Sequence, residues 1–395
     1  MKALLGLLLV IGILLFGNQP LAAQTWVQTM APVTNWSSVV CSADGVKMAA
    51  VTIGGALFTS TNSGATWNQS TNAPTTNNIQ QGFGAPRIAS SADGSKLVAT
   101  VYGGRIYQSV DAGSTWIQTS APSNNWVGIV SSADGNKLTA LAAVFPPPNF
   151  YTSSDGGNTW QTNASPYDRW GDLACSADGN TVFACGGIGT LLVSTNFCHS
   201  WTTNSLVTES QSAASSADGS RLLVVSGPGA LYVSTNFGLS WVLINTPKIS
   251  RIASSADGSR LGAVNNLTPW LGISTNFGAA WTPTNIPPGT SITWGVKPVA
   301  LAADGNELVA AVNGGGIWIS QTAPSPQMKI IPVGGTILLS WLIPSANFVL
   351  EQNSNLTTPN WSIVTNIPAW NLANLHDEVT LPLAGGTTFY RLVSP

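Results

Sequence analysis

The sequence predicts an all-β chain, in which a seven-bladed β-propeller is followed by a small β-sandwich. Ser-Ala-Asp-Gly, or its near copy Ala-Ala-Asp-Gly, recurs with its aspartate at positions 44, 93, 134, 178, 218, 257 and 304. These units of 39 to 49 residues contain several short apolar runs and lack the 3.6-residue period of helices. The last unit lacks a fourth strand, and a strand of that kind occurs near the N-terminus, before the first unit. The two ends of the repeat region are therefore expected to complete one blade.

Residues 1–23 precede the repeats and resemble no blade strand. A single lysine, Lys2, comes before a long apolar run, and the small residues Ala22 and Ala23 offer a cleavage site before Gln24. This pattern predicts a signal peptide and an exported protein. No later stretch is long and apolar enough to span a bilayer, so we expect no transmembrane anchor in the mature chain.

Residues 126–165 illustrate one unit. Runs that begin at Trp126, Lys137 and Phe150, and a fourth that opens at Thr159, are separated by turn residues, which predicts a four-stranded blade. The Asp-Gly pair after the first run suits a type I′ hairpin turn, in which both central residues have positive φ.

A second motif, Ser-x-Asp-x-Gly-x-Thr-Trp, precedes the fourth strand. Residues 109–116 and 153–160 keep its key positions, three copies carry asparagine for aspartate, and residues 194–201 also carry Cys198 for glycine. The carboxylate of Asp155 can accept hydrogen bonds from N–H groups of its own loop, and Gly157 supplies a positive φ. The motif residues are Ser60, Asn62, Trp67, Ser109, Asp111, Gly113, Trp116, Ser153, Asp155, Gly157, Trp160, Ser194, Asn196, Trp201, Asn236, Gly238, Trp241, Asn276, Gly278 and Trp281.

Strands that open with tryptophan occur seven times across residues 24–323. They begin at Trp26, Trp67, Trp116, Trp160, Trp201, Trp241 and Trp281. The strand at Trp26 precedes every repeat, and the last repeat has none of its own. We therefore expect the N-terminal strand to close the ring by pairing with the last blade, which removes exposed sheet edges.

The second motif resembles the Asp box, also called the bacterial neuraminidase repeat. Similar boxes occur in sialidases, xyloglucanase-type endoglucanases, sortilin-like receptors and the photosystem II assembly factor. The resemblance implies a propeller in which the box is a folding element remote from the active face. Calcium binding by Asp111 and Asp155 is the lesser alternative, because no string of alternating carboxylates supplies the oxygens that calcium needs.

The motifs end before the C-terminal 68 residues, 328–395, and the proline-flanked stretch 324–327 predicts a linker. Five short runs separated by turn residues then predict a small β-sandwich. The stretches 340–341, 350–356 and 389–392, with Trp361, resemble C-terminal modules of exported verrucomicrobial proteins. This resemblance implies a fibronectin-like accessory module.

Composition limits the partners and the chemistry. A net charge of −2 and 8% charged residues argue against nucleic acid, which requires a basic face. The only histidines are His199 and His376, so no metal site is expected, and no pattern indicates a cofactor. Cys175, Cys185 and Cys198 share one unit, where either one disulfide or small buried thiols would fit; Cys41 lies in another unit.

Carboxylates outside the two motifs are few. Asp168, Asp172 and Glu209 are the weak candidates for the carboxylate pair of a glycoside hydrolase. Glu307 occupies the position of Lys or Arg in other units, which predicts a solvated strand residue. The chain has no Arg-Ile-Pro motif of sialidases and no suitable histidine for a Ser-His-Asp triad.

The strongest candidate for a site is the end of the ring opposite the two motifs. Trp36, Trp126 and Trp170 begin innermost strands, and Arg87, Asp172 and Arg251 follow two positions later in register. Either the tryptophans wedge between blades and the charges pair, or these residues bind a glycan or an extended peptide. We expect a non-catalytic scaffold that binds a glycan, peptide or protein there, with a carbohydrate-active hydrolase as the alternative.

Overall fold

The computed structural model describes residues 26–70, 86–142, 149–164, 170–186, 189–205, 209–227, 229–265, 270–284, 294–321, 327–344, 348–356, 358–383 and 387–393. Within these ranges every regular element is a strand, and there is no helix that could cross a membrane. The predicted signal peptide, and residues 324–326 of the predicted linker, lie outside the described residues.

The repeat region contains short strands. In chain order they are β1 Trp26–Gln28, β2 Trp36–Cys41, β3 Met48–Thr52, β4 Leu57–Ser60, β5 Asn68–Gln69, β6 Ile88–Ser90, β7 Leu97–Thr100, β8 Ile106–Ser109, β9 Ile117–Gln118, β10 Trp126–Ser131, β11 Leu138–Ala142, β12 Asn149–Ser153, β13 Gln161–Ala164, β14 Trp170–Cys175, β15 Val182–Gly186, β16 Thr190–Ser194, β17 Thr202–Ser205, β18 Ser210–Ser215, β19 Leu222–Ser226, β20 Ala230–Ser234, β21 Val242–Ile244, β22 Arg251–Ser254, β23 Leu261–Asn265, β24 Trp270–Ser274, β25 Thr282–Pro283, β26 Trp294–Leu301, β27 Glu307–Val312 and β28 Ile317–Gln321.

These strands pair as antiparallel sheets of four in chain order, from β6–β9 to β22–β25. The others form one sheet in the order β1-β28-β27-β26-β2-β3-β4-β5, in which β26 meets β2 through the single parallel pair Lys297 and Ser38. Strand β1 pairs antiparallel with β28, with Trp26 opposite Ser320. The first strand therefore joins the last repeat.

A closed cycle of backbone hydrogen bonds connects the repeats. The N–H of Ala43 donates to the carbonyl of Ala92 over 2.7 Å, and the same bond recurs in each repeat until Ala303 donates back to Ala43 over 2.8 Å. Each donor is the alanine directly before a turn aspartate. The repeats thus surround one axis, and we call these residues the alanine ring: Ala43, Ala92, Ala133, Ala177, Ala217, Ala256 and Ala303.

The turns at the alanine ring differ from the predicted type I′ geometry. The N–H of Gly45 donates to the carbonyl of Ser42 over 3.0 Å, so Ala43 and Asp44 are the central residues. Only Gly45, at 74°, has positive φ. The type I′ prediction is wrong, because the Asp44 carboxylate holds the loop by accepting from the Ser42 hydroxyl and the Val46 N–H.

The loops of the second motif lie on the same face as these turns. The Ser153 hydroxyl accepts the Gly157 N–H over 2.8 Å, and Asp155 accepts the Thr159 N–H over 2.9 Å. The N–H of Gly156 donates to the carbonyl of Asn136, beside the Ser-Ala-Asp-Gly turn of the same repeat, and five other loops make the equivalent bond. We call this side the motif face.

The core of the repeat region lies between neighbouring sheets. Leu141 of β11, for example, packs in one cluster with Leu173 of β14 and Val182 of β15. Glu307 is fully buried, so its predicted solvation is wrong. Its carboxylate lies against the Gly45 turn, since a Cβ added at Gly45 would be 2.6 Å from Oε1 of Glu307. Lys47, which occupies the equivalent position in the first repeat, instead extends to the next Ser-Ala-Asp-Gly turn and donates from Nζ to the carbonyl of Asp93.

The C-terminal module forms two further sheets. Its strands are β29 Lys329–Val333, β30 Thr336–Leu342, β31 Val349–Asn353, β32 Ser362–Ile363, β33 Ala369–Asn371, β34 His376–Pro382 and β35 Phe389–Val393. They pair in the orders β29-β30-β34-β33 and β32-β31-β35. The two sheets share one buried cluster, which consists of Leu339, Trp341, Leu350, Val364, Val379 and Leu381.

Candidate functional site

A cavity of about 340 Å³ occupies the axis of the ring. Residues of every innermost strand line it, from β2, β6, β10, β14, β18, β22 and β26. These strands end at the motif face, so they begin at the opposite end, which we call the channel mouth. Asp172 and Arg251 are the charged residues in its lining.

Bulges shape the channel mouth. The pairing register shifts after the first residue of β2, β10, β14 and β18, between Trp36 and Ser38 in the first case. A bulge turns the next side chain toward a new direction. Asp172 follows such a bulge, whereas Arg251 begins its strand.

Two of the three predicted stacking tryptophans are buried. Trp36 and Trp126 are 0% exposed. Their indole N–H groups donate to the carbonyls of Gly315 and Gly104, each in the preceding repeat, over 3.1 and 2.9 Å. The predicted exposed platform is therefore wrong for both residues, because their rings lie between neighbouring repeats. The side chain of Trp170 lies outside the described residues.

Asp172 is a buried link between two sheets. Its side chain is 3% exposed, and its two oxygens accept the N–H groups of Leu173 and Ala213, over 2.9 and 3.1 Å. Leu173 belongs to the same strand, and Ala213 belongs to the next repeat. The carboxylate thus has a structural task, which is to link β14 to the sheet of the next repeat.

Arg87 and Arg251 share the electrostatic environment of Asp172. The pKa of Arg87 is lowered to about 10. Burial is the largest cause, Asp172 opposes it by raising the pKa, and Arg251 contributes to the lowering. Burial also lowers the pKa of Arg251, again opposed by Asp172. Both guanidinium groups are charged at neutral pH, so this group of three side chains carries one net positive charge.

The guanidinium of Arg87 has unused hydrogen-bonding capacity. Its Nε donates to the carbonyl of Val127 over 3.0 Å, and the side chain is 2% exposed. Its Nη1 is buried and has no hydrogen-bond partner among the described residues. Arg251, which lines the cavity, donates from Nη1 to the carbonyl of Ser250 over 2.9 Å.

The carboxylates proposed for hydrolysis do not form a described pair. Asp172 is held by backbone N–H groups, whereas Glu209 is exposed and its backbone carbonyl accepts the Gly227 N–H. Asp168 lies outside the described residues. A glycosidase requires one carboxyl group that can donate a proton and a second one across the cleft. Asp172 lacks the freedom for either role.

The four cysteines are free thiols. Cys185 and Cys198 are buried, and burial raises the pKa of Cys198 to about 12. Cys41 and Cys175 line the channel. In the described part of the chain no cluster of three His, Cys, Asp or Glu residues could hold a metal.

The alanine ring is the feature that sequence reasoning missed. Its signal was available, since the residue before the turn aspartate is alanine in every copy although the turn itself does not demand alanine. The alanines lie at the motif-face end of the channel, where a smaller cavity of about 190 Å³ is lined by them, by Cys41 and Cys175, and by Leu375 of the C-terminal module.

No protein-family model and no curated protein matches the chain. Solved structures match it in fold. A structure of YCF48 bound to D1 peptide aligns with a TM-score of 0.57 and 13% identity, over 77% of this chain and 98% of that chain. YCF48 from Cyanidioschyzon merolae aligns with a TM-score of 0.57 and 12% identity, over 76% of this chain and 98% of that chain.

The β-propeller domain of Cps50 (Swd1) from Myceliophteria thermophila aligns with a TM-score of 0.58 and 13% identity, over 76% of this chain and 100% of that chain. This chain has a β-propeller fold. At these identities the likeness concerns the arrangement of the sheets, so the chemistry of the channel mouth must be argued from its own residues.

Proposed function

We propose that this chain is an exported, non-catalytic propeller that binds an extended peptide segment of a partner protein at the channel mouth. The observation that carries the proposal is the charge at the end of the cavity, where Arg251 and Asp172 line it, the other lining residues are uncharged, and Arg87 is buried beside them. Arginine forks recognise carboxylate and carbonyl oxygens, and both groups occur along a peptide.

A peptide is favoured over a glycan. Glycan recognition by stacking requires exposed aromatic rings, and Trp36 and Trp126 are buried. A YCF48 structure that shares the fold is bound to a peptide, which supports a peptide ligand by analogy.

A hydrolase is disfavoured by the state of Asp172. Its two oxygens accept N–H groups from two repeats, which is a structural role, and no second carboxylate is among the described residues that line the cavity. The propellers reported above also favour a scaffold, by analogy in fold alone.

We also propose the finer features that the sequence predicts. The propeller has seven blades closed by the N-terminal strand, the Asp boxes are folding elements, residues 1–23 direct secretion, and residues 328–395 form a small sandwich of the fibronectin-like type. The closed alanine ring and the pairing of β1 with β28 support the first of these.

The test uses the mature chain, residues 24–395, on a peptide array and a glycan array, followed by affinity measurements on the peptides that bind. Arg251→Gln should weaken binding at least tenfold. Arg221→Gln is the matched control, because it removes the same charge from the motif face, where Arg221 stacks over Phe277 at 4.2 Å. We expect it to leave the affinity within about twofold.

Three results would overturn the proposal: binding to glycans alone, no binding to any peptide, or equal effects of the two substitutions. Thermal melting of both variants distinguishes a lost contact from a lost fold. Turnover of a glycoside that Asp172→Asn abolishes in a folded protein would favour the hydrolase instead.

A further inference from the structure

The C-terminal module contacts the propeller through apolar side chains. Ile343 follows β30 and is 1% exposed, yet it does not belong to the module's own cluster around Trp341. It packs instead with the alanine ring, and Leu342, Leu372 and Leu375 pack against the same group while partly buried. The burial of Ile343 therefore comes from the propeller.

The turn that carries Leu372 and Leu375 is held in a defined shape by hydrogen bonds. Asn371 and Asn374 each accept an N–H group within the turn, from Ala373 and His376 over 3.0 Å, and both amides donate to the carboxylate of Glu378. The carbonyl of Leu375 accepts the N–H of Ile343 over 3.0 Å. The turn and Ile343 are thus presented to the ring together.

Leu375 has a backbone conformation that bulky residues rarely adopt. Its φ is 56°, in the left-handed region. A leucine there is less favourable than glycine or asparagine, so the side chain must be supported by its contacts. Those contacts are at the motif-face end of the channel, because Leu375 lines the 190 Å³ cavity together with all members of the alanine ring.

We propose that the C-terminal module is docked in the alanine ring as a stopper, with Ile343 and Leu375 closing the motif-face end of the channel. The ring suits this occupant, since its methyl groups form an apolar socket and the module offers uncharged branched side chains. A partner can then reach the channel only from the channel mouth. This closure does not depend on which ligand binds at the channel mouth.

The experiment measures the accessibility of Cys41 and Cys175, which line the cavity beside Leu375. The mature chain is treated with N-ethylmaleimide, and modification of each cysteine is followed by mass spectrometry. Leu375→Gly removes the stopper side chain, and glycine adopts the positive φ without strain, so the turn is retained. Reagent that enters from the channel mouth labels both proteins alike, so the faster labelling of Cys41 and Cys175 that we expect in Leu375→Gly reports entry past the missing stopper.

Internal and external controls accompany this variant. Cys185 and Cys198 are buried within the sheets, so their labelling should stay slow unless the propeller unfolds. Leu356→Gly changes an exposed leucine of the same module that is absent from the ring contact, and we expect wild-type labelling. Ile343→Asp provides an independent test, because a carboxylate in the socket should release the module and increase the radius of gyration in X-ray scattering.

Labelling of Cys41 and Cys175 at wild-type rates in both Leu375→Gly and Ile343→Asp would overturn the proposal, as would a radius of gyration that Ile343→Asp leaves unchanged. Faster labelling of all four cysteines together would also overturn it, because the leucine would then support the fold rather than close the channel.

Discussion

Aspartate and asparagine make equivalent bonds in the loops before the fourth strands. Asp155 accepts the Thr159 N–H at Oδ1 and the Thr159 hydroxyl at Oδ2, over 2.9 and 2.6 Å. Asn62 accepts the Thr66 N–H at Oδ1 and donates from Nδ2 to the Thr66 hydroxyl, both over 2.9 Å. The hydroxyl changes from donor to acceptor, and the loop keeps its shape.

This equivalence predicts the outcome of two substitutions. Asp155→Ala should lower the free energy of unfolding by about 1–3 kcal/mol, because the Thr159 N–H loses its acceptor. Asp155→Asn should cost less than about 1 kcal/mol, since the chain already uses asparagine at four equivalent positions. Urea unfolding of the two variants measures the difference. Equal losses, or a loss of ligand binding without a loss of stability, would contradict a structural role for Asp155.

Single residues also show where sequence reasoning ends. The repeat register located Asp172, Arg87 and Arg251 at one end of the ring, because equivalent positions in successive units point to equivalent places. It could not tell whether Trp126 was a stacking ring or a wedge, since that depends on Gly104 in the preceding repeat. The prediction for Glu307 is wrong for the same reason, because its burial comes from the Gly45 turn of another repeat.

Among the elements, β1 connects the two ends of the repeat region. It pairs with β28, and the N–H of Thr29, just after it, donates to the carbonyl of Ile317 over 2.9 Å. The hydroxyl of Thr29 accepts the indole N–H of Trp67, over 3.1 Å, in the loop of the first repeat. The same short segment therefore pairs with the last repeat and contacts the first.

Deletion of residues 24–30 should consequently destabilise the whole ring. The last repeat would lose its outer strand and expose the edge of β28, and the Thr29 contact with the first repeat would be lost. We expect a lower melting temperature with a single cooperative transition and increased aggregation, measured by calorimetry and light scattering. A deletion variant that melts as the full mature chain does would contradict closure by β1.

The elements that the sequence predicted best are those specified within one unit. The turn aspartates and the fourth strands, which begin one residue after the predicted tryptophans from Trp67 to Trp281, follow from local patterns that repeat. The pairing of β1 with β28 follows instead from the fourth strand that the last unit lacks. The contact of Ile343 with the alanine ring was beyond reach, because nothing in the local pattern of the module states which surface it meets. The turn type at Asp44 was missed because its carboxylate, rather than a second left-handed residue, holds the loop.

For the molecule as a whole, the two ends of the channel have opposite character. The channel mouth carries the charges of Arg87, Asp172 and Arg251, and the motif-face end carries the methyl groups of the alanine ring with Ile343 and Leu375. The turns that form the ring are themselves held by carboxylates, since each aspartate accepts from the serine two residues before it in six of the repeats. In four of these repeats the pKa of the aspartate is lowered, so the stability of the ring should depend on the ionisation of Asp93, Asp134, Asp178 and Asp218.

The direction of that dependence follows from the pKa shifts. Hydrogen bonds from the threonine hydroxyl and N–H lower the pKa of Asp111 and Asp155. At four turn aspartates burial raises the pKa, but the serine hydroxyl and backbone N–H bonds outweigh it and the net shift is downward; these are Asp93, Asp134, Asp178 and Asp218. A carboxylate with a lowered pKa in the folded state binds its proton first in the unfolded state.

The stabilisation from these six groups is thus complete above the unfolded pKa of about 3.9 and is lost as the pH falls through the folded values. We expect the urea midpoint to vary little between about pH 6 and pH 5, and to fall steeply below about pH 4. In Asp111→Asn/Asp155→Asn, two of the six groups no longer titrate, so the fall below pH 4 should be shallower. The stability of both proteins at pH 6 should be similar, because asparagine already serves at equivalent positions. A midpoint that declines in parallel in the two proteins would show that acid unfolding arises from other groups.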